Sequence, residues 1–166
     1  MKQFRTLLIV AVIALGFNTV HAQTKIGHID TNLLISLMPE AKALSADLEK
    51  LQKTYESELK AEGDKLEAKL KRYEAEAQSQ TEAENQRRAG EVQQERQKLI
   101  QSSQIAQDDI RKKEMDGMQP ILDKAKAAIE EVAKAEGYNY ILEKSTLIYA
   151  EGTDILPLVK AKLGIQ

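Results

Sequence analysis

Between Pro39 and Glu136 the chain is an almost unbroken string of Ala, Glu, Lys, Gln, Leu and Arg, and this stretch restricts the possible folds more than any other. These are the strongest helix formers. Opposite charges recur three and four residues apart, as in Glu56 to Lys60 and Lys65 to Arg72, where helical neighbours meet. At about 1.5 Å rise per residue, helices of this length reach past any compact body such a chain could build. The stretch therefore predicts two long helices that project as an arm.

Along the outgoing half, Leu44, Leu48, Leu51, Tyr55, Leu59, Leu66, Leu70, Tyr73 and Ala77 recur at three- and four-residue steps. That makes one apolar stripe without a strict heptad. A reversal is expected at Ser79 to Thr81, where Thr81-x-x-Glu84 and Ser79-x-x-Glu82 both have the form of a capping box. Gly90 is the competing position. On the return, Val92, Leu99, Ile100, Ile110, Met118, Ile121, Leu122, Ala125, Ile129, Val132 and Ala133 form a stripe that thickens away from the turn. Between Ala77 and Val92 the apolar side chains are alanines, so the tip should fray and move. Gly117 and Pro120 fall inside the return helix and predict a kink or curve there, with a simple break as the alternative.

The two flanks of the arm differ. Residues 1–22 have the form of a cleaved signal peptide: Lys2 and Arg5, an apolar run from Leu7 to Phe17 that falls short of the roughly 18 residues of a membrane span, and Val20-His21-Ala22 as a cleavage site. In the mature chain, Lys25 to Ile29 reads as a strand, and Asp30 as the cap of a short helix, Thr31 to Leu37, that stops before Pro39. After the arm, Gly137 suits a helix C-cap. Tyr138 to Glu143 and Thr146 to Ala150 then read as a β-hairpin, and Thr153 or Asp154 as the cap of a last helix, Ile155 to Leu163. The predicted class is mainly α with a small β body. Residues 23–38 and 137–166 form the body, and residues 39–136 form a long antiparallel helical hairpin projecting from it. Three short strands and two short helices hold few apolar side chains for an independent core, which points to oligomerisation.

Composition narrows the chemistry. Removing Lys2 and Arg5 from the 24 basic residues leaves 22 against 26 acidic ones, a net charge of −4. Phe4 and Phe17 leave with the same segment, so the mature chain has no Phe, Trp or Cys. Without stacking aromatics or a net basic charge, nucleic acid is not an expected partner. Nor is catalysis expected: no nucleophile motif, glycine-rich phosphate loop or metal-ligand spacing is present, and His28, the one mature histidine, sits on an apolar strand as a structural residue. No cofactor is implied. A binding or structural role is left.

The order of these elements, with Lys25-Ile26-Gly27-His28-Ile29-Asp30, Ala133 to Leu142, Leu147 to Ala150 and the helix start at Asp154-Ile155, resembles the Skp/OmpH family of periplasmic chaperones. The resemblance spans the whole mature chain, most specifically after Ile121. It implies a periplasmic homotrimer in which strands of three subunits make a β body and three hairpins surround a cavity. Such proteins hold unfolded outer-membrane proteins without ATP. The residues expected at the oligomer contact are Ile26, Ile29, Ile141, Leu142, Leu147, Ile148 and Tyr149, and those expected to touch clients are Leu59, Leu66, Leu70, Tyr73, Leu99 and Ile100. Family members are strongly basic, whereas this chain is acidic, with Glu82, Glu84, Glu91 and Glu95 balancing Arg87, Arg88, Arg96 and Lys98 near the tip. That departure argues against lipopolysaccharide or anionic lipid as a partner. The alternative function is a structural coiled-coil spacer or adaptor of the cell envelope. A spacer needs a well-filled seam, and the thinning stripe favours the chaperone reading.

Overall fold

The structure is a computed structural model that describes residues 24–165. The expected signal peptide lies outside the described residues. Strand β1, Ile26–Ile29, ends at Asp30, whose extended backbone and side-chain Oδ1, accepting from Leu33 N–H at 2.8 Å, start helix α1, Thr31–Leu37. Met38 is extended, and Pro39 takes the first position of α2, Pro39–Glu76, where its missing N–H costs nothing. One helical turn, Ala77–Ser79, leads to Thr81, whose Oγ1 accepts from Glu84 N–H and caps α3, Glu82–Glu136. The reversal thus uses the Thr81 cap. Ser79 instead donates to Glu76 O at 2.7 Å, so the second capping box does not form, and Gly90 lies within α3.

The two arms are 38 and 55 residues long, roughly 57 and 82 Å at helical rise. The longer helix runs without a break through Pro120. Gly117 has a packing role. A Cβ there would lie 2.5 Å from Leu44 Cδ1, so the absent side chain lets α2 and α3 approach at their base. At the far end Gly137, with φ of +72°, closes α3 in the left-handed conformation that only glycine adopts readily.

Beyond it, β2, Tyr140–Glu143, and β3, Thr153–Asp154, flank β1 in the order β2-β1-β3, both parallel to it. The predicted β-hairpin is therefore incorrect. Thr146 to Ala150 is not a strand, and the third strand lies further on. The cause is local: Glu143 accepts from Ser145 N–H through its carboxylate and from Thr146 Oγ1 through its carbonyl at 2.8 Å, which winds Lys144–Thr146 into a helical turn instead of a reversal. Its carboxylate also takes the Thr31 hydroxyl and N–H, tying β2 to α1. Helix α4, Leu156–Leu163, follows β3, with Asp154 Oδ1 accepting from Leu156 N–H at 2.9 Å.

The core is larger than the flanks alone supply. Ile29, Leu34, Met38, Ile155 and Val159 are buried against Ile121, Ala125, Ala128 and Val132 of α3. The root of the return arm is thus part of the body, because a helix that carries small and branched residues on one face can serve as a wall for a sheet.

Candidate functional site

Among the described residues no group of His, Cys, Asp and Glu is placed to hold a metal ion, and His28 is buried with Nε2 2.9 Å from Gly152 O, under the loop before β3. What the chain offers is surface. Large apolar side chains are exposed chiefly on the open face of the sheet and on the return arm, with Leu33 of α1 and Leu158 of α4 besides.

On the sheet, register pairs Ile26 with Tyr140 and His28 with Leu142. Side chains alternate across a strand, so Ile29 and Ile141 point to the core while Ile26, Tyr140 and Leu142 stand on the other face, 48%, 61% and 41% exposed. Nearby in sequence, Ile148 and Tyr149 are exposed on the segment between the helical turn and β3, and Leu147 is half-buried. Of the seven residues expected at an oligomer contact, two therefore serve the chain's own core. Tyr140 was missed. Strand alternation carries the signal for it, since Ile141 and Leu142 cannot share a face.

Along the hairpin, the residues expected to meet clients are mostly seam. Leu66 is buried, Leu59, Leu70, Tyr73 and Leu99 are half-buried between the helices, and only Ile100 is open to solvent. α2 exposes no large apolar side chain, whereas α3 exposes Ile100, Ile105, Met115 and Leu122.

Near the tip, where apolar packing is thin, polar groups join the helices. Lys69 Nζ donates to Glu91 at 2.8 Å and also to Glu95, and Tyr73 Oη donates to Glu91 at 3.0 Å. Arg88, 13% exposed at its side chain, pairs with Glu76 at 2.9 Å and Glu84 at 3.0 Å, with its guanidinium 4.6 Å from the centre of the Tyr73 ring. Asn85 closes the turn by donating to Ala77 O at 3.0 Å. Hydrogen bonds from Arg87 and Arg88 hold the Glu84 carboxyl down to about 2, against an ordinary 4.5. Lys69 and Tyr73 lower that of Glu91. Depressed carboxylates contribute stability that is complete above their ordinary value and lost as pH falls through the folded one. Protection of tip amides should accordingly drop as pH is lowered from about 4.5 towards 2. At neutral pH, hydrogen exchange should still show Ser79 to Ala89 less protected than Ile121 to Val132, because no side chain from Ser79 to Ala89 is fully buried, whereas Ile121, Ala125, Ala128 and Val132 are core residues. Equal protection along both arms would instead indicate a rigid rod.

The fold thus defines a class of protein: a long two-helix arm rooted in a small parallel sheet, with exposed apolar side chains on one sheet face and along one helix. The family model for outer membrane protein (OmpH-like) matches residues 25–163, and the chain belongs to that family. Relatives named chaperone protein Skp from Photorhabdus laumondii subsp. laumondii and from Photorhabdus luminescens are each 26% identical over 139 residues, covering 83% of this chain and 84% of theirs. An OmpH-like protein structure from Caulobacter crescentus CB15 has the same fold, with a TM-score of 0.76 at 19% identity over 89% of both chains.

Proposed function

We propose that the protein is an ATP-independent holdase that binds unfolded outer-membrane proteins in the periplasm, reached after cleavage of residues 1–22, and keeps them from aggregating. In this reading three copies associate through the open sheet face, and their arms surround the client. The observation that carries it is the set of unpartnered aliphatic side chains on an arm that extends well beyond the body. Family membership and the Skp relatives support the same role.

A surface that accepts many unfolded chains works through many modest contacts. Single alanine substitutions at the exposed Ile100, Ile105, Met115 or Leu122 should barely change client affinity, whereas combined substitutions should weaken it progressively. Ion pairs at the tip balance acidic against basic side chains, so binding should depend only weakly on salt, unlike a basic arm whose attraction is screened within about 10 Å at 0.1 M salt. The measurement is suppression of aggregation of an unfolded outer-membrane barrel, titrated with salt. Failure to suppress it at any stoichiometry would reject the holdase and leave the spacer. One substitution that abolished suppression while the assembly stayed intact would indicate a discrete pocket.

A further inference from the structure

The return arm has two faces of use. One, through Val92 and Ala106, fills the hairpin seam together with Leu66 of α2. A second row is offset around the same helix. Gln97, Ile100, Gln104, Gln107, Met115 and Leu122 follow one another at helical steps that keep them on one flank, and all six are exposed. Arg111 completes the spacing and is the single charged residue in the row, paired with Asp108 at 3.4 Å. In a chain that is 30% charged, a row of this length with one charge stands apart. It runs about 38 Å along the helix. At its lower end Leu122 and Ile129 line a cleft of about 550 Å³ with Ile35 and Ile141.

We propose that this row is the client track, and that its occupant is an extended, largely uncharged segment of unfolded chain in which apolar and polar residues alternate. The proposal rests on the holdase reading and names the surface that performs it. Three properties of the row match that occupant. An unfolded strand carries unpaired N–H and C=O groups, and a glutamine amide can both donate to and accept from them. Its alternate apolar side chains find Ile100, Met115 and Leu122, of which the flexible thioether adapts to varied shapes. Covering the row desolvates one paired charge, whereas covering other stretches of either arm would strip water from many. The outgoing arm, with no exposed large apolar side chain, lacks the second property altogether. Steps of three and four helical residues do not match the two-residue period of a strand, so a client is held without a fixed register.

The chain has no cysteine, so single thiols can carry a photoreactive benzophenone. Gln104→Cys and Met115→Cys place it on the row, and Lys53→Cys and Ser57→Cys place it on exposed positions of α2. Each labelled protein is mixed with a urea-unfolded outer-membrane β-barrel on dilution and irradiated. Cross-linking to the barrel from the two row positions should exceed that from α2 by about fivefold or more, as a one-sided track requires. In parallel, Ile100→Glu with Met115→Glu should raise the concentration needed to suppress aggregation by about tenfold, with helix content and assembly mass unchanged because both side chains are exposed. Equal yields from both arms, an unaltered double variant, or cross-links joining two copies of the chain in place of the client would each overturn the track while leaving the holdase standing. Loss of suppression in the unaltered protein would remove the holdase itself.

Discussion

Leu142→Asp should turn the assembled protein into folded monomers. In the proposed trimer the uncovered sheet face, with Ile26, Tyr140 and Leu142 side by side, is buried between subunits. A carboxylate introduced there stands opposite His28, whose Nε2 is already engaged by Gly152 O, and burying it unpaired costs several kcal/mol. Within one chain the same position is already exposed to water, so the monomer keeps its fold. Sedimentation should show the unaltered mature protein as a trimer and the variant as a monomer, with the same helical circular dichroism. Leu147→Asp should also dissociate it, with some loss of stability because that side chain is half-buried. A monomeric unaltered protein, or a variant that still assembles, would contradict the assignment of this face.

The second large effect belongs to the core. Leu34→Ala should lower unfolding stability by about 3 kcal/mol, within the range for deleting a fully buried leucine side chain. Leu34 has no exposed surface and belongs to the core cluster with Met38, Ile121, Ile155 and Val159, so the resulting cavity has walls from both ends of the chain and from the arm. Against a typical total of about 5–15 kcal/mol, that loss should shift the denaturation midpoint plainly, whereas Ile100→Ala, at an exposed site, should stay within about 0.5 kcal/mol. An unchanged midpoint for Leu34→Ala would mean that the body is held by assembly rather than by this core.

How far these features were legible follows from the range over which each acts. Asp30, Pro39, Thr81 and Gly137 act on backbone groups within a few residues, and the helix boundaries they mark in the sequence are those in the structure. The hairpin stripe is legible for the same reason, since helical periodicity needs no knowledge of the partner. Strand partners are different. Whether Leu147 to Ala150 folds back on β2 or passes it depends on the carboxylate and carbonyl of Glu143, and on an edge of β1 left open for Thr153 and Asp154 from far along the chain.

The tip shows the same division. Its shortage of apolar side chains is plain in the sequence, but the closure by Lys69, Tyr73 and Arg88 requires residues 22, 18 and 12 positions apart to meet across a turn. Apolar type alone does not separate client contacts from packing, and burial places Leu59, Leu66, Leu70, Tyr73 and Leu99 in the seam. By itself, then, the sequence determined the long helical hairpin, its caps and the family, because local propensity and periodicity carry them. Only tertiary structure decided the parallel sheet, the role of the α3 root in the core, and which apolar side chains remain in water, because each depends on what packs against a residue from elsewhere in the chain.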